Sequence, residues 1–254
     1  MNSAQKIAVA GATGRVGRHV VDLLKGSGHE VVSISRSNGV DVITGEGLDE
    51  ALRGVDVVVD AATGPSPDKD AATKFFTTSA GNLQRAGERA DVGRIVAVSI
   101  IGCDRFTDGY NVGKAAHERE LQSGPVPVRL LRAAQFHEFV GQFLDWTTQG
   151  EVAYVPVMRT QLVAARTVAE ELAELATGPE PEAGAPIPEI AGPRVERFAE
   201  VARLLAATRE TPERVSEQSN SEDPDRDLFA GDGLLPGPHA KLAGPTFEEW
   251  LTQR

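Results

Sequence analysis

Two short patterns in the first half of the chain carry groups that could do chemistry. The first is Gly11-Ala12-Thr13-Gly14-Arg15-Val16-Gly17, a G-x-x-G-x-x-G run that follows the apolar stretch Ile7-Ala8-Val9-Ala10 and opens a segment with Val16, Val20, Leu23 and Leu24 on one helical face. In that setting a glycine turn offers an anion the free N–H groups and partial positive charge of a helix start, which suits the pyrophosphate of a dinucleotide. Gly11 would allow the sharp turn, Gly14 the close approach of the pyrophosphate, and Gly17 the packing of helix on strand. Thr13, Arg15 and Val16 fill the loop between them. The second pattern is Tyr110-x-x-x-Lys114, which puts both side chains on one helix face, one turn apart. A nearby ammonium stabilises a tyrosinate and draws the phenol down from about 10 toward neutrality. Such a tyrosine can protonate a carbonyl oxygen as hydride arrives.

A third signal lies at the end of the second strand-like run, Glu30 to Ser35, where Arg36 stands nineteen residues after Gly17. A site for NAD usually carries Asp or Glu near this point for the ribose 2′-hydroxyl, whereas an arginine accommodates a 2′-phosphate. Arg36, with Ser35 and Ser37 beside it and Arg15 or Arg18 nearby, therefore argues for NADP(H). The bland alternative is a solvated surface arginine.

These residues need a scaffold, and the first 132 residues alternate apolar runs with helical patterns. Strands are expected at Ile7–Ala10, Glu30–Ser35, Gly39–Ile43, Val55–Asp60, Arg94–Ser99 and Val128–Leu131, with helices after Gly17, at Leu48–Arg53, Ala71–Ala90 and Tyr110–Gln122. Strands of near-continuous apolar content separated by helices indicate a parallel sheet covered on both faces. The expected architecture is α/β, a Rossmann-type doubly wound parallel sheet with a small C-terminal substrate-binding region. Residues 1–132 would form the NAD(P)-binding core. Residues 133–254 would shape mainly the substrate side, returning to the sheet at about 151–176 and 187–191. The stretch Thr208 to Pro238, rich in Ser, Glu, Asp, Pro and Gly, reads as an exposed or mobile loop, and Phe247 and Trp250 as docking points for the tail.

Composition excludes several classes. The chain has 254 residues with 37 acidic against 26 basic side chains, a net charge of −11. Such a surface repels phosphate backbones, so nucleic acid is not an expected partner. No apolar run reaches the roughly 18 residues of a membrane helix, and Met1 to Lys6 leads straight into a strand-like run without a signal-peptide pattern. A cytoplasmic setting is the expectation. The one cysteine, Cys103, can form no internal disulfide, and the five histidines show no metal-ligand spacing, so no metal site is expected. An aromatic group, Phe136, His137, Phe139, Phe143 and Trp146, follows the last main strand. Ligands of such sheets bind beyond the carboxyl ends of the strands, so Phe136, His137 and Phe139 are the candidate substrate contacts and an apolar or planar small molecule the expected partner.

With these pieces assembled, the chain resembles the short-chain dehydrogenase/reductase superfamily, and within it the atypical, NmrA-like NAD(P)-binding proteins. The resemblance is carried by the glycine loop, Asp41-Val42, Val57-Val58-Val59-Asp60-Ala61-Ala62-Thr63, Gly81-Asn82-Leu83, Val98-Ser99-Ile100-Ile101-Gly102, Tyr110-Asn111-Val112-Gly113-Lys114 and Leu131-Arg132-Ala133-Ala134-Gln135-Phe136. It implies that Tyr110 is the general acid/base and that Lys114 both tunes it and grips the nicotinamide ribose. It also implies that a hydroxyl at the strand end, here Ser99, holds the substrate oxygen. Asp41 and Val42 would contact adenine, Ala61, Ala62 and Thr63 would line the cofactor, and Asn82 would brace the central strands. The implied activity is NADPH-dependent reduction of a ketone or quinone-like carbonyl. Two other readings stay open: a non-catalytic NADP-binding redox sensor, and a quinone reductase that passes hydride without Tyr110. The oligomeric expectation is a monomer or homodimer.

Overall fold

A computed structural model describes residues 4–180, 182 and 184–253. The chain runs β1 (Lys6–Ala10), α1 (Gly17–Gly26), β2 (Glu30–Ile34), α2 (Leu48–Ala51), β3 (Val57–Asp60), α3 (Lys69–Arg89), β4 (Arg94–Ile100), α4 (Gly109–Ser123), β5 (Val128–Ala133) and α5 (His137–Thr147). It continues through β6 (Thr148–Gln149), β7 (Val152–Pro156), β8 (Arg159–Thr160), α6 (Ala165–Thr177), β9 (Glu189–Ala191), β10 (Glu196–Arg197), α7 (Phe198–Ala206), β11 (Arg214–Gln218), α8 (Arg226–Ala230), β12 (Lys241–Leu242) and α9 (Phe247–Thr252).

The main sheet has seven parallel strands in the order β12-β9-β5-β4-β3-β1-β2. This is the doubly wound α/β architecture expected from the alternation of apolar runs and helices. Both faces are covered, and the period of two sorts the apolar side chains between them. Ile7, Val9, Val57, Val59, Val96 and Leu131 face α1 and α6, where Val20, Leu24, Val168 and Leu172 meet them. Ala8, Ala10, Val58, Ile95, Ala97 and Leu130 face the other way, against Leu48, Leu83, Ala86 and Leu121 of α2, α3 and α4. The same alternation carries Asp60 and Ser99, at the carboxyl ends of β3 and β4, onto the α3/α4 side. Because β1 connects to β2 on one flank and lies beside β3 on the other, the winding reverses at β1, which opens a crevice beyond its carboxyl end.

Three expectations change. Gly39–Ile43 is not a strand: after a 3-10 turn at Arg36–Asn38 the chain turns again, with Asp41 Oδ1 accepting from the Ile43 N–H at 2.7 Å. That side chain supplies a local partner that competes with strand pairing. The strand expected in 151–176 exists as β7 but joins a separate small sheet, β11-β7-β6, while α6 covers the main sheet; of the later strands β9 and β12 extend the main sheet. Finally, Thr208–Pro238 contains β11, paired in parallel with β7, and α8, and it buries Asp225 and Leu234. Its polar composition concealed backbone pairing. A second core of Phe198, Phe247, Val140, Leu144, Ala153 and Val155 joins α5, α7, β7 and the tail, with Phe247 fully buried as expected.

Candidate functional site

At the start of the crevice the glycine loop is built so that side chains are excluded. Gly11 has φ +73°, and a Cβ there would lie 2.6 Å from the Ala61 carbonyl oxygen at the end of β3. A Cβ on Gly17 would lie 2.1 Å from the Gly11 oxygen, and one on Gly14 would lie 3.0 Å from it. Gly17 therefore packs the helix start onto the loop itself rather than onto the strand. The residue before α1, Val16, gives no side-chain cap, and the N–H groups of Thr13, Arg15 and Val16 have no acceptor among the described residues. A helix start with open donors and no side chain in the way fits a pyrophosphate. Arg15 is half-buried and Arg36 exposed, and neither makes an ion pair or side-chain hydrogen bond among the described residues.

Across the crevice, Asp41 and Val42 form the turn described above, with Val42 half-buried against the α2/α3 core. Asn82 donates through Nδ2 to the carbonyls of Val42 (2.9 Å) and Ile43 (2.8 Å). It braces this turn, not the central strands. Ala61 and Ala62 are half-buried where the chain leaves β3.

The Tyr110 and Lys114 pair lies at the start of α4, but the two side chains have different partners. The Tyr110 hydroxyl is 2.7 Å from Thr63 Oγ1, and its ring packs edge-on against Phe76 with centroids 5.4 Å apart. Lys114, 4% exposed, donates to the Val98 carbonyl at 2.7 Å and meets His117 Nδ1 at 3.0 Å, with Nζ 4.3 Å from the Phe76 ring centroid. His117 Nε2 is in turn 2.9 Å from Asp60 Oδ2. Burial pushes the Tyr110 phenol above its usual range and the Asp60 charge adds to this, while the Thr63 bond opposes it. The expected lowering by Lys114 is absent from this geometry, because the ammonium is turned toward His117. Burial draws Lys114 down to about 8, with Asp60 resisting. Burial would raise the Asp60 carboxyl, but the His117 bond and the Lys114 charge hold it below the usual carboxylate range.

Ser99 does not join this group. It is 2% exposed, and its Oγ lies 3.7 Å from Cys103 Sγ on the α4 side of β4. There it belongs to a buried set in which Glu118 receives the Arg132 guanidinium through 3.0 and 2.7 Å bonds. Burial drives the Cys103 thiol up to about 11, so it is held protonated. The strand's alternation aims Ser99 inward, and the hydroxyl on Tyr110 comes from Thr63 instead.

A family model described as NAD(P)H-binding matches residues 11–148, more than half of the chain and the whole of this crevice. The chain belongs to that NAD(P)H-binding family. The Ycf39 photosystem II assembly factor of Synechocystis is 29% identical over 183 residues, an alignment covering 63% of this chain and 56% of that protein. The chain thus matches little more than half the length of that relative. Among solved structures, MoeE5 in complex with UDP-glucose and NAD superposes with a TM-score of 0.72 at 18% identity, covering 98% of this chain and 99% of that one. The dTDP-4-dehydrorhamnose reductase of Bacillus anthracis, in complex with NADP, gives 0.70 at 14% identity, with 98% of both chains covered. These likenesses show a shared fold, and the resemblance to atypical short-chain dehydrogenases/reductases stands.

Within this NAD(P)H-binding chain the aromatic expectations divide. His137 is 1% exposed, with Nε2 3.1 Å from the Pro245 carbonyl and its ring packed against Phe247 and Trp250. It fastens the tail, and no substrate can reach it as the molecule stands. Phe136 is packed against the main core, and Phe139 against Phe143, Trp146 and Phe198. Trp146 is 54% exposed.

Sequence reasoning missed three residues. Asp60 and His117 support Lys114. Asp225, 3% exposed, accepts from the Thr107 N–H and hydroxyl (both 2.8 Å) and the Asp108 N–H (2.9 Å), tying the C-terminal segment to the turn that launches α4. A charged residue ending the apolar run Val57-Val58-Val59, and a histidine one turn beyond Lys114, were the available signals for the first two. Asp225 had none.

Proposed function

We propose that the chain is an NADPH-dependent reductase of small carbonyl compounds, with Tyr110 as proton donor. The observation that carries this reading is the Tyr110 hydroxyl held 2.7 Å from Thr63 Oγ1 at the mouth of the crevice, one helical turn from Lys114. A bound NADPH supplies hydride to the carbonyl carbon. Tyr110, kept protonated by its surroundings, suits donation of a proton from its hydroxyl to the carbonyl oxygen, and so the reductive direction. Thr63 holds that hydroxyl and takes the orienting part for which Ser99 is badly placed. Arg36, without a side-chain partner among the described residues, meets a 2′-phosphate and sets the preference for NADPH over NADH. Phe139 and Trp146 favour an apolar or planar substrate.

A non-catalytic NADP sensor is the second reading. It is favoured by the engagement of Lys114 within the chain and by a relative that is an assembly factor.

NADPH oxidation against a panel of ketones and quinones separates these readings. Under the reductase reading Tyr110→Phe slows turnover about 10²–10⁴-fold with NADPH affinity kept, and Thr63→Val also slows it. Arg36→Asp weakens NADPH about tenfold or more relative to NADH. Tight NADPH binding with no acceptor reduced establishes the sensor, and full quinone turnover in Tyr110→Phe establishes direct hydride transfer without the tyrosine.

A further inference from the structure

We propose that Asp60 and His117 are positioning residues of the dinucleotide site, forming a buried arm that keeps Lys114 an ammonium and holds it beside the crevice. The proposal rests on the reading above, in which Lys114 grips the ribose.

The donor count fixes the arrangement. An ammonium has three N–H donors and no acceptor. Lys114 gives one to the Val98 carbonyl and one to His117 Nδ1, and lies against the face of Phe76. His117 Nδ1 must then be the accepting nitrogen, so the ring proton sits on Nε2 and is donated to Asp60 Oδ2. The other Asp60 oxygen accepts from the Ala62 N–H at 3.0 Å. One carboxylate thus balances a buried cation through a neutral imidazole and also shapes the turn leading to Thr63. Both Asp60 and His117 are 1% exposed.

Among the described residues Asp60 is the anion that acts most strongly on Lys114, with Glu118 adding less. The titratable groups facing Lys114 are Asp60 from β3, Cys103 from the turn after β4, and Tyr110, His117 and Glu118 from α4. Cys103 and Tyr110 are held protonated, and Glu118 is engaged by Arg132 from β5. A buried ammonium whose main balancing charge is removed loses its proton more readily. Neutral Lys114 retains two donors, is already bound to Val98, and grips a ribose less well.

The test is NADPH affinity measured from pH 6 to pH 10. In the wild type binding weakens as pH rises past about 8. Asp60→Asn keeps an oxygen for the His117 N–H but removes the charge, and moves that alkaline limb down by about one pH unit or more, with affinity preserved at pH 6. His117→Gln, whose carboxamide can accept from Lys114 and donate to Asp60, retains the wild-type limb, whereas His117→Ala loses it. An unmoved limb in Asp60→Asn overturns the proposal. Equal NADPH affinity in Lys114→Met and wild type at every pH instead overturns the ribose reading beneath it. Should Asp60→Asn not fold, the ¹⁵N spectrum of the wild-type histidines decides: His117 is expected as the Nε2–H tautomer, with an Nδ1 resonance that moves in Lys114→Arg, and an Nδ1–H tautomer sinks the arm.

Discussion

Helix α4 carries two buried polar networks, and they differ in how their charges are closed. Glu118 meets Arg132 directly, Arg132 also reaches Asp104 at 3.1 Å, and Ser99 and Cys103 lean on the same cluster. Every charge there has an opposite charge in contact with it. One turn earlier, Lys114 reaches its anion only through the His117 ring, and Tyr110 holds a hydroxyl, not a charge. Direct closure leaves nothing to offer a ligand. Indirect closure keeps groups with altered proton affinity next to the crevice, which is where chemistry would use them.

The sharpest way to break this contrast is to remove one partner of the closed network. Glu118→Ala leaves Arg132 with only its 3.1 Å contact to the exposed Asp104 and is expected to cost about 1–3 kcal/mol of stability, read as a fall in Tm, with NADPH affinity of the folded fraction unchanged. A loss below about 1 kcal/mol, or a large change in affinity, would mean that the two networks are not separate. The Arg132 bond holds the Glu118 carboxyl below its usual range against burial. Its stabilisation is therefore present above the unfolded-state value and lost as pH falls through the folded one.

The open network has the same sign in an alkaline window. Lys114 titrates near 8 when folded and near 10.5 when unfolded, so between these values the unfolded chain binds a proton that the folded chain has released. Folding stability must then rise with pH across that window, by up to about 3 kcal/mol from this residue. The difference in stability between wild type and Lys114→Met, followed from pH 7.5 to pH 10.5 by chemical denaturation, is expected to move in favour of the wild type. A flat difference curve would show that Lys114 is not the strained group.

How much of this was legible in the sequence follows from how far apart the partners are. The glycine loop and Tyr110-x-x-x-Lys114 are local, so spacing alone places them, and the sheet was legible because its strands are buried on both faces. The arm beside Lys114 joins residues 57 positions apart, and the Asp225 contact with Thr107 spans 118. Nothing in a local window specifies such pairs. The place of Ser99 at a strand end suggests a site residue, but the alternation along β4 decides its direction. His137 illustrates the converse: its place in an aromatic cluster suggests a substrate contact, whereas the tail's Phe247 and Trp250 claim the ring.

Asp225 tests whether the C-terminal segment matters to the open network. Its carboxylate takes three donors at the turn before α4, so Asp225→Asn, which keeps the shape and removes the charge, is expected to cost about 1–2 kcal/mol. If that turn also fixes Tyr110, turnover falls more than NADPH affinity does. Equal falls in both would make the contact merely structural.

The smallest expected effect separates two hydroxyls. Ser99 belongs to the closed network, where its hydroxyl lies 3.7 Å from the Cys103 thiol and helps hold the Glu118 carboxylate. Ser99→Ala should cost about 1 kcal/mol and leave turnover unchanged. Thr63→Val removes the one polar contact of the Tyr110 hydroxyl among the described residues and should slow turnover while barely moving Tm. The reverse pattern, an inactive Ser99→Ala and an active Thr63→Val, would mean that β4 turns its end toward the crevice when the site is filled. The boundary between the two networks would then lie on the other side of Ser99.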